Sequence, residues 1–149
     1  MMPGQPGQED YDHPMYDEVW EAAIDLGLPL SFHVLTTRDT HGPPRGSRLN
    51  SFLAIIRANQ DIIGTLIFGG VFQRHPRLKV VCVEADAGWA PHYMYRMDHA
   101  FKRHRHWLAP NVSLEQLPSE YFRENIYLTF QDDWVAFQSK DMCNVRRLM

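Results

Sequence analysis

The sequence predicts an α/β fold built on a mainly parallel sheet. Apolar runs of strand length alternate with longer stretches of helical periodicity, in the order helix, strand, helix, strand, helix, strand, helix. Such alternation builds βα units. Size adds a third observation: three strands are few for this class, and a closed eight-stranded barrel takes about 250 residues. The 149 residues are therefore expected to form part of a larger design. No internal repeat or linker divides them.

The elements follow in order. Residues 1–13, rich in acids and prolines and lacking the apolar core of a signal peptide, read as a flexible solvated arm, with the folded domain over 14–149. A first helix is expected from Pro14 to Leu26, with Pro14 in its first turn, Asp17 and Glu18 at its positive end and Gly27 as its stop. Met15, Val19, Ala22, Ala23 and Leu26 would be its buried stripe. "LPLSFHVLTT" is the first strand, about 30–35, with His33 near its end. The loop "RDTHGPPRGSR" is longer than a tight turn needs.

A second helix is expected from Ser47 to Gly69 or Gly70, with Phe52, Ile55, Ile56, Ile62, Ile63 and Leu66 on its apolar side and Gly64 as a break. The apolar run at 62–72 is shorter than the roughly 20 residues of a membrane span, so no membrane association is expected. The second strand, about 78–84, ends on Glu84. A third helix, Trp89 to Trp107, would bury Tyr93, Met97, Ala100 and Phe101. "LPSEYFREN" is a short helix, "NIYLTF" the third strand, and "DDWVAFQSKDMCNVRR" a last helix capped by Asp132 or Asp133. Another strand could begin at the final "RRLM".

Composition narrows the partners. With 44% hydrophobic and 12% aromatic residues the chain is globular rather than disordered. A net charge of -3 argues against a general polyanion binder, and no nucleic-acid partner is expected. Cys82 and Cys143 form neither a disulfide framework nor a CxxC zinc motif, which fits a reducing cytoplasm.

In parallel α/β folds the ligand site lies at the carboxyl ends of the strands. His33, Glu84, Asp132 and Asp133 occupy those positions. Imidazole and carboxylate suit a divalent metal, and a carboxylate beside it can act as a general base. Each has a plainer alternative: a hydrogen-bonded structural histidine, a helix-capping or arginine-paired Glu84, N-caps at 132 and 133, and packing for Trp89. On the third helix His92, Arg96, His99, Arg103 and His106 form one basic stripe, read as a solvated face, with an anionic substrate at the helix start, a metal clip or nucleic acid as the sharper alternatives.

"LGLPLSFHV", "GGVFQRHPRLKVVCVEADAGWAPHYMYRMDHAF" and "LPSEYFRENIYLTFQDD", in that order, resemble the C-terminal half of amidohydrolase-related proteins. These are metal-dependent TIM-barrel hydrolases and nonoxidative decarboxylases similar to aminocarboxymuconate semialdehyde decarboxylase. The resemblance implies a partial (β/α)8 barrel, roughly strands 5 to 7 with their helices. It implies His33 as a metal ligand on the fifth strand. Glu84 lies at the end of the sixth, where better-known members carry a histidine, and becomes the catalytic candidate. Trp89 and His41, in the loops that leave these two strands, are the substrate-binding candidates. The implied cofactor is a divalent metal, zinc or manganese, held weakly if at all, because the family's first-strand His-x-His or Glu-x-His and its eighth-strand aspartate have no counterpart here. Two readings follow. One is a fragment of a metal-dependent hydrolase or decarboxylase of a small carboxylate-bearing substrate, inactive alone. The other is a non-catalytic half-barrel that self-associates or pairs with another chain.

Overall fold

A computed structural model describes residues 1–34, 36, 46–53 and 56–149. Three short strands, β1 (Leu30–His33), β2 (Val80–Val83) and β3 (Ile126–Leu128), form one parallel sheet in the order β1-β2-β3. The register places Ser31 beside Val81 beside Tyr127, and Phe32 beside Cys82 beside Leu128. Helix α1 (Asp17–Asp25) leads into β1. Helices α2 (Arg48–Leu53), α3 (Ile56–Phe68) and α4 (Val71–Arg74) lie between β1 and β2. Helices α5 (Ala90–Leu108) and α6 (Pro118–Asn125) join β2 to β3, and α7 (Trp134–Gln138) follows β3.

Strand alternation divides the sheet into two unlike faces. Phe32, Val80, Cys82, Ile126 and Leu128 join a core with Ile63, Leu66, Phe72, Met94 and Phe122 from the helices. Ser31, His33, Val81, Val83 and Tyr127 lie on the other face, outside that core. A parallel sheet ordinarily has both faces covered.

Several expectations change on contact with the structure. The N-terminal segment is docked rather than solvated: Met2 bridges to Phe32 in parallel, and Tyr11 is buried with its hydroxyl donating to Pro3 O at 2.6 Å. The buried face of α1 is Trp20 and Ala23, whereas Met15, Val19, Ala22 and Leu26 are exposed. Both sides of that helix carry apolar residues, and the larger indole took the core. Helix α3 runs through Gly64, which is not a break; a Cβ there would stand 3.1 Å from Tyr93 Oη, so the glycine gives α5 room.

Phe52 is exposed, while Ile55 and His41 lie outside the described residues. The stretch Arg48–Phe68 has the length and hydropathy of a membrane-spanning candidate, longer than the run at 62–72; within it, Ile62, Ile63, Leu66 and Ile67 are buried in the core. The final helix is shorter than expected: α7 stops at Gln138 and gives way to 3₁₀ turns at Lys140–Met142 and Val145–Arg147. Beyond them Leu148 bridges to Leu128 in parallel, where a further strand was expected to begin.

Candidate functional site

The parallel register sets the geometry of the site. His33 is the last residue of β1 and pairs with Val83, so Glu84 follows one step beyond it on the neighbouring strand. Both side chains reach the same carboxyl-end rim, with His33 Nε2 3.3 Å from Glu84 Oε2. His33 is 31% and Glu84 49% exposed, so the pair is reachable from solvent.

The protonation of the ring follows from its other contact. His33 Nδ1 lies 2.5 Å from Val34 O. A carbonyl only accepts, so Nδ1 carries a proton, and only when the ring is neutral does Nε2 face Glu84 with a lone pair. In the neutral ring two electron-rich atoms then oppose one another. A proton or a cation shared by them turns that repulsion into attraction, and a ligating histidine commonly donates its second N–H to a backbone carbonyl in this way.

Glu84 is held by an unusual backbone. Its φ is +57°, and Asp86 two residues on has φ +55°. Left-handed conformations cost a non-glycine residue about 1 kcal/mol or more and gather at functional sites. The Glu84 N–H donates to Thr129 Oγ1 at 2.8 Å, which ties the turn to the end of β3. Thr129 was not singled out in the sequence. Its place directly after a strand, at the same rim, is the signal that could have found it.

Asp133 organises the loop behind Glu84. Its Oδ2 accepts the N–H groups of Ala87 at 2.6 Å and Gly88 at 2.7 Å, and its Oδ1 accepts that of Ala136 at 2.9 Å. Burial alone would push its pKa up; the donors Ala87, Ala136, Gly88 and Val135 outweigh this and lower it. Asp133 thus caps α7 and is structural, while Asp132 is exposed and makes no such cap. Trp89 donates its indole N–H to Ala85 O at 2.7 Å and packs edge-on against Tyr93 and Phe122. Its described contacts brace the turn.

The donor set fits a divalent ion in part. His33 and Glu84 supply two convergent ligands of the types such ions take, but a protein site generally needs about three. Among the described residues no group of three or more His, Cys, Asp or Glu is placed to hold a metal. The basic stripe of α5 stands apart: His92, Arg96, Arg103 and His106 are exposed, and Ala90, Met94, Met97 and Phe101 are the buried side. Tyr93 and Ala100, expected inside, are only partly buried.

Comparison with known proteins gives a consistent picture. The amidohydrolase family model matches residues 2–138. An amidohydrolase structure from Mycobacterium avium subsp. paratuberculosis K-10 superposes with a TM-score of 0.70 at 23% identity, over 92% of this chain and 35% of that one. The 2,6-dihydroxybenzoate decarboxylase from Rhizobium gives 0.68 at 24%, over 96% and 46%. The 5-carboxyvanillate decarboxylase from Novosphingobium aromaticivorans, complexed with manganese and 4-hydroxy-3-methoxy-5-nitrobenzoic acid, gives 0.77 at 18%, over 97% and 43%. The chain therefore spans less than half the length of each structure. Its three parallel strands and their helices correspond to part of a TIM barrel, as the sequence led us to expect.

Proposed function

The chain belongs to the amidohydrolase family, and on that premise we propose that it carries part of the site of a metal-dependent hydrolase or nonoxidative decarboxylase of a small carboxylate-bearing substrate. The observation that carries this reading is the His33–Glu84 pair, 3.3 Å apart at the carboxyl ends of adjacent parallel strands. The manganese in the 5-carboxyvanillate decarboxylase structure supports a divalent ion as the cofactor class.

In this reading His33 Nε2 is a ligand, oriented by its Nδ1–H bond to Val34 O. When bound, the ion supplies Lewis-acid polarisation of a substrate oxygen. Glu84, half exposed and beside the ligand, takes or returns a proton at its carboxylate; its left-handed backbone and the Thr129 bond aim it at the rim. Trp89 and His41 are proposed to contact the substrate. Among the described residues there are too few ligands to fix an ion or a substrate tightly, so the 149-residue chain by itself is expected to turn over nothing at a substantial rate.

The test is to load the purified chain with zinc or manganese and measure bound metal together with turnover of aromatic and unsaturated carboxylic acids. Substoichiometric metal that disappears on His33→Ala, without turnover, is expected. Metal binding indifferent to His33→Ala would overturn the ligand assignment, and stoichiometric metal with turnover would overturn the incomplete-site reading.

The sheet face outside the core favours a second reading, a half-barrel that associates with a copy of itself or another chain. In that case sedimentation at micromolar concentration finds a stable oligomer, and Val81→Lys disperses it.

A further inference from the structure

The net charge of -3 averages over a segregated surface. Helix α5 carries Arg96, Lys102, Arg103 and Arg105 against a single acid, Asp98. That acid is already engaged: its Oδ1 and Oδ2 accept the N–H and the hydroxyl of Ser119, each at 2.9 Å. None of the four cations takes part in the ion pairs of the described residues. Arg105 lies over the Phe101 ring, whereas Arg96, Lys102 and Arg103 are exposed. Their charge is left to solvent.

Elements of this chain bound α5 on its other sides. Tyr93 Oη donates to Gln60 O of α3 at 2.6 Å, and Asp98 holds Ser119 of α6. In a barrel the neighbours of a helix are the ones before and after it, and both are present. Ala90, Met94, Met97 and Phe101 fill the side toward the core. The stripe from His92 to His106 is the remaining side, facing away from the sheet, and runs about 21 Å along the helix.

Aromatic rings cross the same face. Tyr95 meets His99 at 6.3 Å between centroids, His99 meets His104 at 5.7 Å, and His104 meets Trp107 at 5.6 Å. They meet tilted or edge-on, at 38°, 59° and 83°, so the rings do not stack on one another. Tyr95 and Trp107, at the two ends of the row, are 64% and 68% exposed. Cations beside open rings suit a single strand of nucleic acid, whose phosphates meet the charges while its bases stack. An acidic peptide would use the cations alone, and a membrane would need the apolar face that α5 buries.

We propose that the outer face of α5 binds single-stranded nucleic acid, with Arg96, Lys102 and Arg103 on the phosphates and Tyr95 and Trp107 stacking on bases. The surface is separate from the His33–Glu84 rim and independent of any reaction there.

The test is fluorescence anisotropy of a labelled thymidine decamer titrated with the full chain. Affinity should fall with salt, the logarithm of the binding constant against that of salt having a slope of about -2 for three phosphates neutralised on a single strand. An abasic decamer of equal charge should bind about tenfold more weakly, and the thymidine decamer should shift the Trp107 indole N–H resonance. Arg96→Gln with Arg103→Gln, at exposed positions, should leave the fold intact and reduce the slope to about -0.7. Tyr95→Ser with Trp107→Ser should keep the slope and bring the thymidine decamer down to the abasic level. His33→Ala should leave binding unchanged. A salt-independent affinity, equal binding of the two decamers, polyglutamate binding as tightly as the thymidine decamer, or a solution oligomer in which the Trp107 indole is already shielded and no strand binds would each overturn the proposal.

Discussion

Asp133 Oδ2 accepts the Gly88 N–H at 2.7 Å, and Gly88 can come this close only because it has no side chain. A Cβ at Gly88 would stand 2.7 Å from Asp133 Oδ1 and 2.7 Å from Val135 Cβ, inside any tolerable contact. Gly88→Ala should therefore push α7 away from the loop that carries Glu84. We expect a loss of about 1–3 kcal/mol in urea unfolding, with chemical-shift changes at Ala136 and Ala87.

The same carboxylate makes stability depend on acid. Its folded pKa lies below the usual carboxylate value of 3.8, so the unfolded chain binds the proton more readily. The contribution of Asp133 is complete above the unfolded value and is lost as pH falls through the folded one. Asp133→Asn should cost about 2 kcal/mol at neutral pH. It should also flatten the acid limb of a plot of melting temperature against pH below about 4. An unaltered acid limb would show that other carboxylates govern it.

Much of this arrangement could be read from the chain, and the exceptions share a cause. The strands at 30–33, 80–83 and 126–128 fall inside the apolar runs expected at 30–35, 78–84 and 125–130, and once they were placed the parallel register brought His33 and Glu84 to one rim. Local patterns could mark Asp133 as a cap, since Ala136 is three residues away. They could not show its bonds to Ala87 and Gly88, which are 46 and 45 residues distant. Helix α1 failed differently: a 3.6-residue period recognises an apolar stripe but cannot choose between two of them, and Trp20 with Ala23 displaced Val19 with Leu26. The acidic, proline-rich start looked solvated by composition. The Tyr11 ring against Phe32 and Trp20, together with the Met2–Phe32 bridge, holds it to the fold.

Glu84 pairs a strained backbone with a weakly held side chain. Glu84→Gly removes the left-handed penalty at φ +57° and loses only a partly exposed contact with His33. Its added freedom in the unfolded chain offsets part of the gain. Stability should stay level or rise by about 0.5 kcal/mol, while any proton transfer at the rim is lost. A loss above about 1 kcal/mol in thermal unfolding would mean that the His33 contact holds the fold.

The cations of α5 should matter to their neighbours more than to the fold. Local desolvation and the adjacent Arg96, His104 and Arg103 lower the pKa of His99. Replacing Arg96 and Arg103 together by Gln should move the His99 titration, followed by its ring proton shifts, toward the ordinary imidazole value. Unfolding free energy should change by less than about 0.5 kcal/mol. A loss of several kcal/mol would contradict a solvated face.

Because one aspartate closes both the β2–α5 turn and the start of α7, these two loops behave as a single exchangeable part. Loops between strand and helix ordinarily accept insertions one at a time. Here a graft into residues 85–89 from a relative with different loop lengths would strand the Asp133 carboxylate, and a graft into 130–134 would strand the amides of Ala87 and Gly88. Recombination libraries aimed at new chemistry on this scaffold should carry both segments from the same parent, with Thr129 included, and vary the residues between β1 and α2 on their own.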